Sequence, residues 1–363
     1  MSKVTSIQTN PSAALADALH RHAARSKRWG FIFALWTAVL WGAWYVPGTA
    51  LWYEFPYSAI PEGDRALRLT AVAVMTFVHA VAVFLFLLVW NGVLGKVSDF
   101  GRTFVRFRRI SKWYALASIC GGPIAIFGSY MAMGFVGPVF AAVTSLFYPV
   151  FGALIARLWY REKITTYAAI GMSLIILGGV AIYGPELFGQ DSGTKEHAWL
   201  GYLGGLMSAI GWGAEGAVAA RAMDVSDPDT GIQCRFSFEI MFWGVLILPV
   251  LAFFGLPVFR LIADTLADGR AMLWIVLASV CHAFCYTSFY KSFGLIGVGR
   301  GEAIGNLYAV FALLFIAVFT LEFPPVYFII GLVLAVGGSF VMFREPADAI
   351  TTLRDAQSEG SAV

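Results

Sequence analysis

The sequence predicts an all-α polytopic membrane protein: ten transmembrane helices in two inverted five-helix repeats, with both termini in the cytosol. Three observations predict it. The 363-residue chain is 59% hydrophobic and only 13% charged, whereas a soluble domain carries about 25% charged residues. Apolar runs of about 20 residues, the length a helix needs to cross a bilayer, recur along it. The second half also repeats the first at a nearly constant offset.

The apolar runs fall at residues 29–53, 67–92, 112–133, 138–158, 165–184, 199–221, 232–256, 271–292, 301–321 and 325–343. With the N-terminus in the cytosol, 20 of the 25 Lys and Arg residues lie on that side. Only Arg65, Arg68, Lys195, Arg260 and Arg270 lie on the other. That bias gives the N-in/C-in orientation, because cytoplasmic loops retain positive charge. Residues 1–28 form a cytosolic tail, in which Pro11–Ala24 reads either as a weak interfacial helix or as a loose segment. The first apolar run is too long for a signal peptide and reads as a retained span. Lys96–Lys112 interleaves cations with Phe100, Phe104 and Phe107 and suits the anionic inner leaflet. A net charge of +3 gives no reason to expect nucleic acid. The four cysteines have neither metal-ligand nor redox spacing.

Sliding residues 134–183 forward by 160 superposes Gly134 on Gly294, Tyr148 on Tyr308, Phe151 on Phe311, Gly171 on Gly331 and Gly178 on Gly338. The first span meets the sixth at an offset of 171, where Trp41-Gly42-Ala43 matches Trp212-Gly213-Ala214. Five spans per copy is an odd number, so the second copy enters the membrane upside down. Inverted repeats are the architecture of many secondary transporters. The predicted organisation is a first repeat at 29–184, an external linker at 185–198, a second repeat at 199–343 and a cytosolic tail at 344–363.

These residues resemble the drug/metabolite transporter superfamily, and its EamA-like branch in particular. The likeness rests on the two Trp-Gly-Ala motifs, on Val143–Leu154, on Tyr160–Thr165 and on Gly171 with Leu177-Gly178. It covers about residues 30–343. The second copy departs from the pattern, with Ala309 in place of Pro149 and with Pro324-Pro325 after Glu322. The resemblance implies a carrier for small metabolites with a central cavity, and it supplies no substrate.

The candidate substrate-binding residues are Trp41, Trp44, Tyr45, Tyr148, Trp212, Glu215, Asn306 and Tyr308. Trp41, Trp44 and Tyr45 share one helical face. With Trp212 they suit an aromatic cage, because ring faces attract desolvated cations; packing is the other reading. Glu215 lies inside an apolar helix, where an ionised carboxylate is costly and needs a cavity or a partner. It reads as a proton-coupling site, as a counter-charge for a cation, or as half of a structural pair with Arg221 or another helix. Glu302 is the second coupling candidate, although it also suits an offset to Arg300. Tyr148 and Tyr308 either bind substrate or bridge helices. Arg235 and Glu239 read as an internal ion pair. His79 and His282 read as isolated, hydrogen-bonded packing histidines, with a pH switch as the other reading. Pro47 and Pro149 each free a backbone carbonyl, at Ala43 and Ser145. Gly211–Gly216 matches G-x-G-x-x-G, but inside an apolar span with no strand before it, so no phosphate site follows.

The expectation is therefore a secondary active transporter of the cytoplasmic (inner) membrane, with a small cationic or zwitterionic metabolite as substrate. A sugar or polyol permease is the alternative, and an intramembrane enzyme is a further one. No enzyme activity, cofactor or metal is expected. Protons are the candidate coupling ion, the lipid bilayer is the surrounding partner, and the chain is a monomer or homodimer.

Overall fold

A computed structural model describes residues 11–105, 108–160, 165–188, 197–223, 226–296, 298–321 and 323–342. Glu162 and Glu322, most of the 185–198 linker, residues 1–10 and the 344–363 tail lie outside the described residues. Among the described residues there is no strand. The chain is a bundle of helical rods: α1 (Pro11–Ala50), α2 (Arg65–Val93), α3 (Arg109–Phe135) and α4 (Pro138–Thr144 and Tyr148–Tyr160). Next come α5 (Thr166–Phe188), α6 (Ala198–Met223), α7 (Pro228–Phe253) and α8 (Gly269–Ile296). The last two are α9 (Val298–Gly305 and Tyr308–Thr320) and α10 (Val326–Met342). Among the described residues, six helical stretches are long and apolar enough to cross a membrane: Arg25–Tyr53, α2, α3, Pro138–Ile155, α7 and α8. Shorter apolar helices occupy Thr166–Ile182, Tyr308–Thr320 and Val326–Val341. The 26-residue α6 is diluted by glycine and carries Glu215 and Arg221.

Three local features differ from the sequence expectations. The first helix starts at Pro11 and runs without a break into the apolar span, so residues 11–28 are neither a separate interfacial helix nor loose. Helix α7 begins at Pro228, where Asp227 caps it by accepting from the Thr230 N–H; Pro at the first helical position and an Asp N-cap favour a start there. This early start carries Arg235 two turns into the helix. Finally, Phe100 and Phe104 sit on a short helix, Val97–Val105, and pack inward. Phe100 meets Phe84 at 6.3 Å and Phe104 meets Phe238 at 4.9 Å. Their rings therefore close the bundle, while Arg102 on the same helix is exposed and pairs with Asp99.

Many contacts come in pairs that exchange the two halves. A β-carbon on Gly42 would lie 2.8 Å from the Tyr308 carbonyl oxygen and 2.7 Å from the Ala312 nitrogen. One on Gly213 would lie 2.5 Å from the Tyr148 carbonyl oxygen and 2.7 Å from the Gly152 nitrogen. These partners occupy the same positions shifted by 160. Only glycine lets the backbones come this close, and in a bilayer such packing carries much of the helix association. The tyrosines are reciprocal too. The Tyr148 hydroxyl donates to the Glu302 carbonyl at 3.1 Å, and the Tyr308 hydroxyl donates to the Ala142 carbonyl at 2.7 Å. Position 142 plus 160 is 302, so each bond is the image of the other. The helix breaks match as well. A 3₁₀ turn at Ser145–Phe147 precedes Tyr148 and Pro149, and the second copy breaks at Asn306-Leu307 without a proline.

The two ends of the bundle are held differently. At one end, buried Asp229 on α7 takes Lys96 at 2.6 Å, Lys291 of α8 at 2.8 Å and the Trp90 indole N–H at 3.0 Å. Burial opposes the Lys96 charge, but its hydrogen bonds to Asp227 and Asp229 outweigh that and hold its pKa above the usual lysine value. At the other end, Tyr57 bonds Thr265 at 2.8 Å. Arg68 donates to the Gly134 carbonyl at 2.7 Å and lies 5.1 Å from the Trp52 ring.

Candidate functional site

The middle of the bundle holds most of the chemistry-bearing side chains. Helix α1 contributes Trp41 and Trp44, which share a face, and α6 contributes Trp212 and Glu215, one turn apart. Helix α8 contributes His282, Tyr286, Phe289 and Tyr290, spaced so that one stripe faces the centre. All three tryptophans are buried, Trp212 being the most exposed at 3%. Trp41 meets Trp212 edge to face at 4.8 Å and stacks on Tyr308 at 5.1 Å. Trp44 meets Tyr130 at 5.4 Å and His282 at 5.1 Å. Such geometries follow from the ring quadrupole, and they leave the rings able to receive a cation if they part.

Beside the rings lies a buried acidic cluster. Arg235 Nε donates to Glu215 Oε1 at 2.8 Å, and Arg235 Nη1 donates to Glu239 Oε2. The second oxygen of Glu215 accepts from the Tyr286 hydroxyl at 2.7 Å, and the Tyr286 hydroxyl in turn accepts from the Trp212 indole N–H at 2.9 Å. The guanidinium also sits 4.3 Å from the Phe236 ring and 5.1 Å from the Tyr286 ring. Glu215 thus has a partner on another helix, and that partner is Arg235 rather than Arg221. The Arg235–Glu239 pair is present, as part of a three-residue cluster. Arginine keeps its charge in proteins, so two ionised carboxylates would leave the cluster one negative charge in excess.

Helix α3 makes room for this cluster with Gly121, Gly122 and Pro123, on a π-helical turn at Cys120–Ile126. A β-carbon on Gly121 would collide with Arg235 and Glu215, and one on Gly122 would meet Glu239. Such turns recur at functional sites.

Several buried polar atoms of this centre have no hydrogen-bond partner among the described residues: Trp41 Nε1, Tyr290 Oη, Arg235 Nη2, Glu239 Oε1 and His282 Nε2. Buried polar groups are normally satisfied, so orphans gathered in one place suit a polar occupant. His79 and His282 are not isolated: His282 Nδ1 and His79 Nε2 are 3.3 Å apart, and His282 stacks on Tyr286 at 4.8 Å.

Of the remaining sequence candidates, Tyr45, Tyr148 and Tyr308 pack against the tryptophans of α1. Tyr45 lies beside Trp44 and bonds Ser145 at 3.3 Å, at the head of a buried serine chain through Ser208 to Ser129. Tyr148 and Tyr308 present their rings to Trp41, while their hydroxyls bridge helices. Asn306 is held away from the cage and donates to Ser339 of α10 at 2.5 Å. The carboxylate of half-buried Glu302 lies near Gly216 on α6. The sequence reading missed Tyr286, Tyr130 and the Gly-Gly-Pro turn. A signal existed for two of them: Gly-Gly-Pro inside an apolar run marks a helix irregularity, and Tyr286 falls one turn after His282.

Membrane-length apolar helices around a buried charged and aromatic centre define the class, an integral multi-pass membrane protein. Its relatives narrow that further. Residues 199–344 match the EamA-like transporter family. The second half of the chain is accordingly similar to that transporter family. The chain is 24% identical over 285 residues to Protein LicB of Haemophilus influenzae, covering 78% of this chain and 87% of LicB. A crystal structure of another protein superposes with a TM-score of 0.54, at 14% identity, over 87% of this chain and 98% of the other, a likeness of fold.

Proposed function

We propose that the protein is a secondary active transporter for a small cationic or zwitterionic metabolite, such as an amine, a quaternary amine or an amino acid. The observation that carries this reading is the buried Trp41–Trp44–Trp212–Tyr286 cluster set against two carboxylates and one guanidinium. Ring faces and one more carboxyl group than guanidinium both favour a cation. A desolvated cation–π contact is worth about 2 kcal/mol, or about 30-fold in affinity. In this reading Trp41, Trp44, Trp212 and Glu215 face the substrate, while Tyr45, Tyr148, Tyr308 and Asn306 set the helices that carry them. Proton coupling falls to the acidic groups of the centre, with Glu302 behind Gly216 as the outlying candidate.

Ten spans in two inverted repeats, N-in and C-in in the inner membrane, complete the proposal. The exchange of contacts between Gly42 and Gly213, and between Tyr148 and Tyr308, supports it. Two halves related in this way exchange roles when one rocks against the other, which alternates access to a central site.

The test is a ligand panel of amines, betaines, amino acids, sugars and polyols, read as thermal shift on the purified protein. Hits are then carried into proteoliposomes under a pH gradient. Stabilisation by cations or zwitterions, weakened about 30-fold by Trp212→Leu, is the expected result. Stabilisation by sugars or polyols alone would overturn the substrate class.

A further inference from the structure

The buried cluster contains an asymmetry that charge counting exposes. Glu215 has both oxygens engaged by donors: Arg235 Nε at one and the Tyr286 hydroxyl at the other. That is the pattern of an ionised carboxylate, which only accepts. Glu239 has one oxygen on Arg235 Nη1, and its Oε1 meets no donor among the described residues. The backbone beside Glu239 is Gly122, followed by Pro123, which has no N–H to offer. Both carboxyl groups are buried, Glu239 completely.

One guanidinium neutralises one carboxylate. An excess charge in a buried centre is far more costly than a neutral carboxyl with one unsatisfied oxygen. We infer that Glu239 is the proton-binding carboxylate of this centre: in the closed arrangement it is a neutral acid, while Glu215 stays ionised against Arg235 and Tyr286.

The surroundings agree with the assignment. On its own helix, Glu239 faces Arg235, whose charge Glu215 also engages. From α6 the facing group is Glu215, whose negative charge favours protonation of its neighbour. From α3 come Tyr130 and Cys120, both uncharged, with Tyr130 in electrostatic reach of Glu239 and Cys120 in reach of Glu215. His79 of α2 and His282 of α8 lie in reach of Arg235, and Tyr286 and Tyr290 of α8 complete the ring. Beyond Arg235, none of these supplies a second fixed positive charge that would hold Glu239 ionised. The Glu239 proton is then the movable charge of the site, which deepens the transport reading by naming where a coupling proton rests.

The test is infrared spectroscopy of the purified full-length protein at neutral pH, without substrate or gradient, using the deuterium-sensitive carbonyl stretch of a protonated carboxylic acid. The wild type should show this band. Glu239→Gln should abolish it, and Glu215→Asp, which keeps an anion beside Arg235, should leave it in place. A wild type lacking the band, a band surviving in Glu239→Gln, or one moved by Glu215→Asp would each overturn the assignment. Should Glu239→Gln fail to fold, Glu239→Asp must move the band, and an unmoved band would overturn the assignment equally. This readout needs no transport, so its failure is distinct from failure of the transport reading. If both hold, proton flux into proteoliposomes loaded with tetramethylammonium should vanish in Glu239→Gln, and undiminished flux would count against the inference.

Discussion

Arg235→Met is the most demanding perturbation of this molecule. The guanidinium is fully buried, and its partners Glu215 and Glu239 are 3% and 0% exposed. Removing one member of a buried pair costs about 3–5 kcal/mol, because it strands the other charge. Here the guanidinium also holds the Glu239 carboxyl, so the loss should lie near the upper end, about 5 kcal/mol. Reversible unfolding in mixed micelles, followed by tryptophan fluorescence, measures it. The triple variant Arg235→Met/Glu215→Gln/Glu239→Gln removes every charge and should return to within about 2 kcal/mol of the wild type, since a well-packed neutral cluster often replaces a buried ionic one without penalty. Acid should act in the same direction on the single variant. Protons then take the place of the guanidinium, so its deficit should shrink as pH falls from about 8 to 5. A loss below about 1 kcal/mol, the size of a solvent-exposed pair, would refute the reasoning, and so would a deficit that ignored pH.

Three further predictions follow from the packing. Gly42→Ala and Gly213→Ala force a β-carbon into the facing backbone and should each cost about 1–3 kcal/mol in the same unfolding assay. Gly337→Ala meets no atom within 4 Å and should be neutral or gain up to about 1 kcal/mol from helix propensity. Tyr148→Phe and Tyr308→Phe remove the hydroxyls that bond the Glu302 and Ala142 carbonyls and should each cost about 1 kcal/mol. Lys96 has a folded pKa above its unfolded value near 10.5. Its contribution should be complete below that pH and lost as pH rises through the folded value, so alkaline unfolding of Lys96→Met should lack the corresponding step.

Much of the fold is legible from composition and period. Apolar runs of membrane length recur because a helix in lipid must satisfy its own backbone, and a glycine repeated at a fixed offset survives wherever helices meet closely. Trp41, Trp44, Trp212 and Glu215 stand out because rings and a carboxylate are conspicuous in an apolar span. The partners of Glu215 do not stand out. Arg235 and Tyr286 are 20 and 71 residues away in the chain, and no local pattern ties them to it. His79 and His282 are 203 residues apart, so each reads as solitary until α2 and α8 lie side by side. Phe100 and Phe104 read as lipid-facing because an amphipathic segment rich in cations suits a membrane surface equally well.

The sequence by itself determined the helices, the repeat and the family resemblance, since these depend on spacing along one strand of chain. Only the tertiary structure decided which buried charges meet. It placed two carboxylates on one guanidinium, gave Glu215 the hydrogen bonds of an anion, and left an oxygen of Glu239 without a donor. Pairing of buried charge is set by which helix faces come together in three dimensions, and no periodicity along the chain records that.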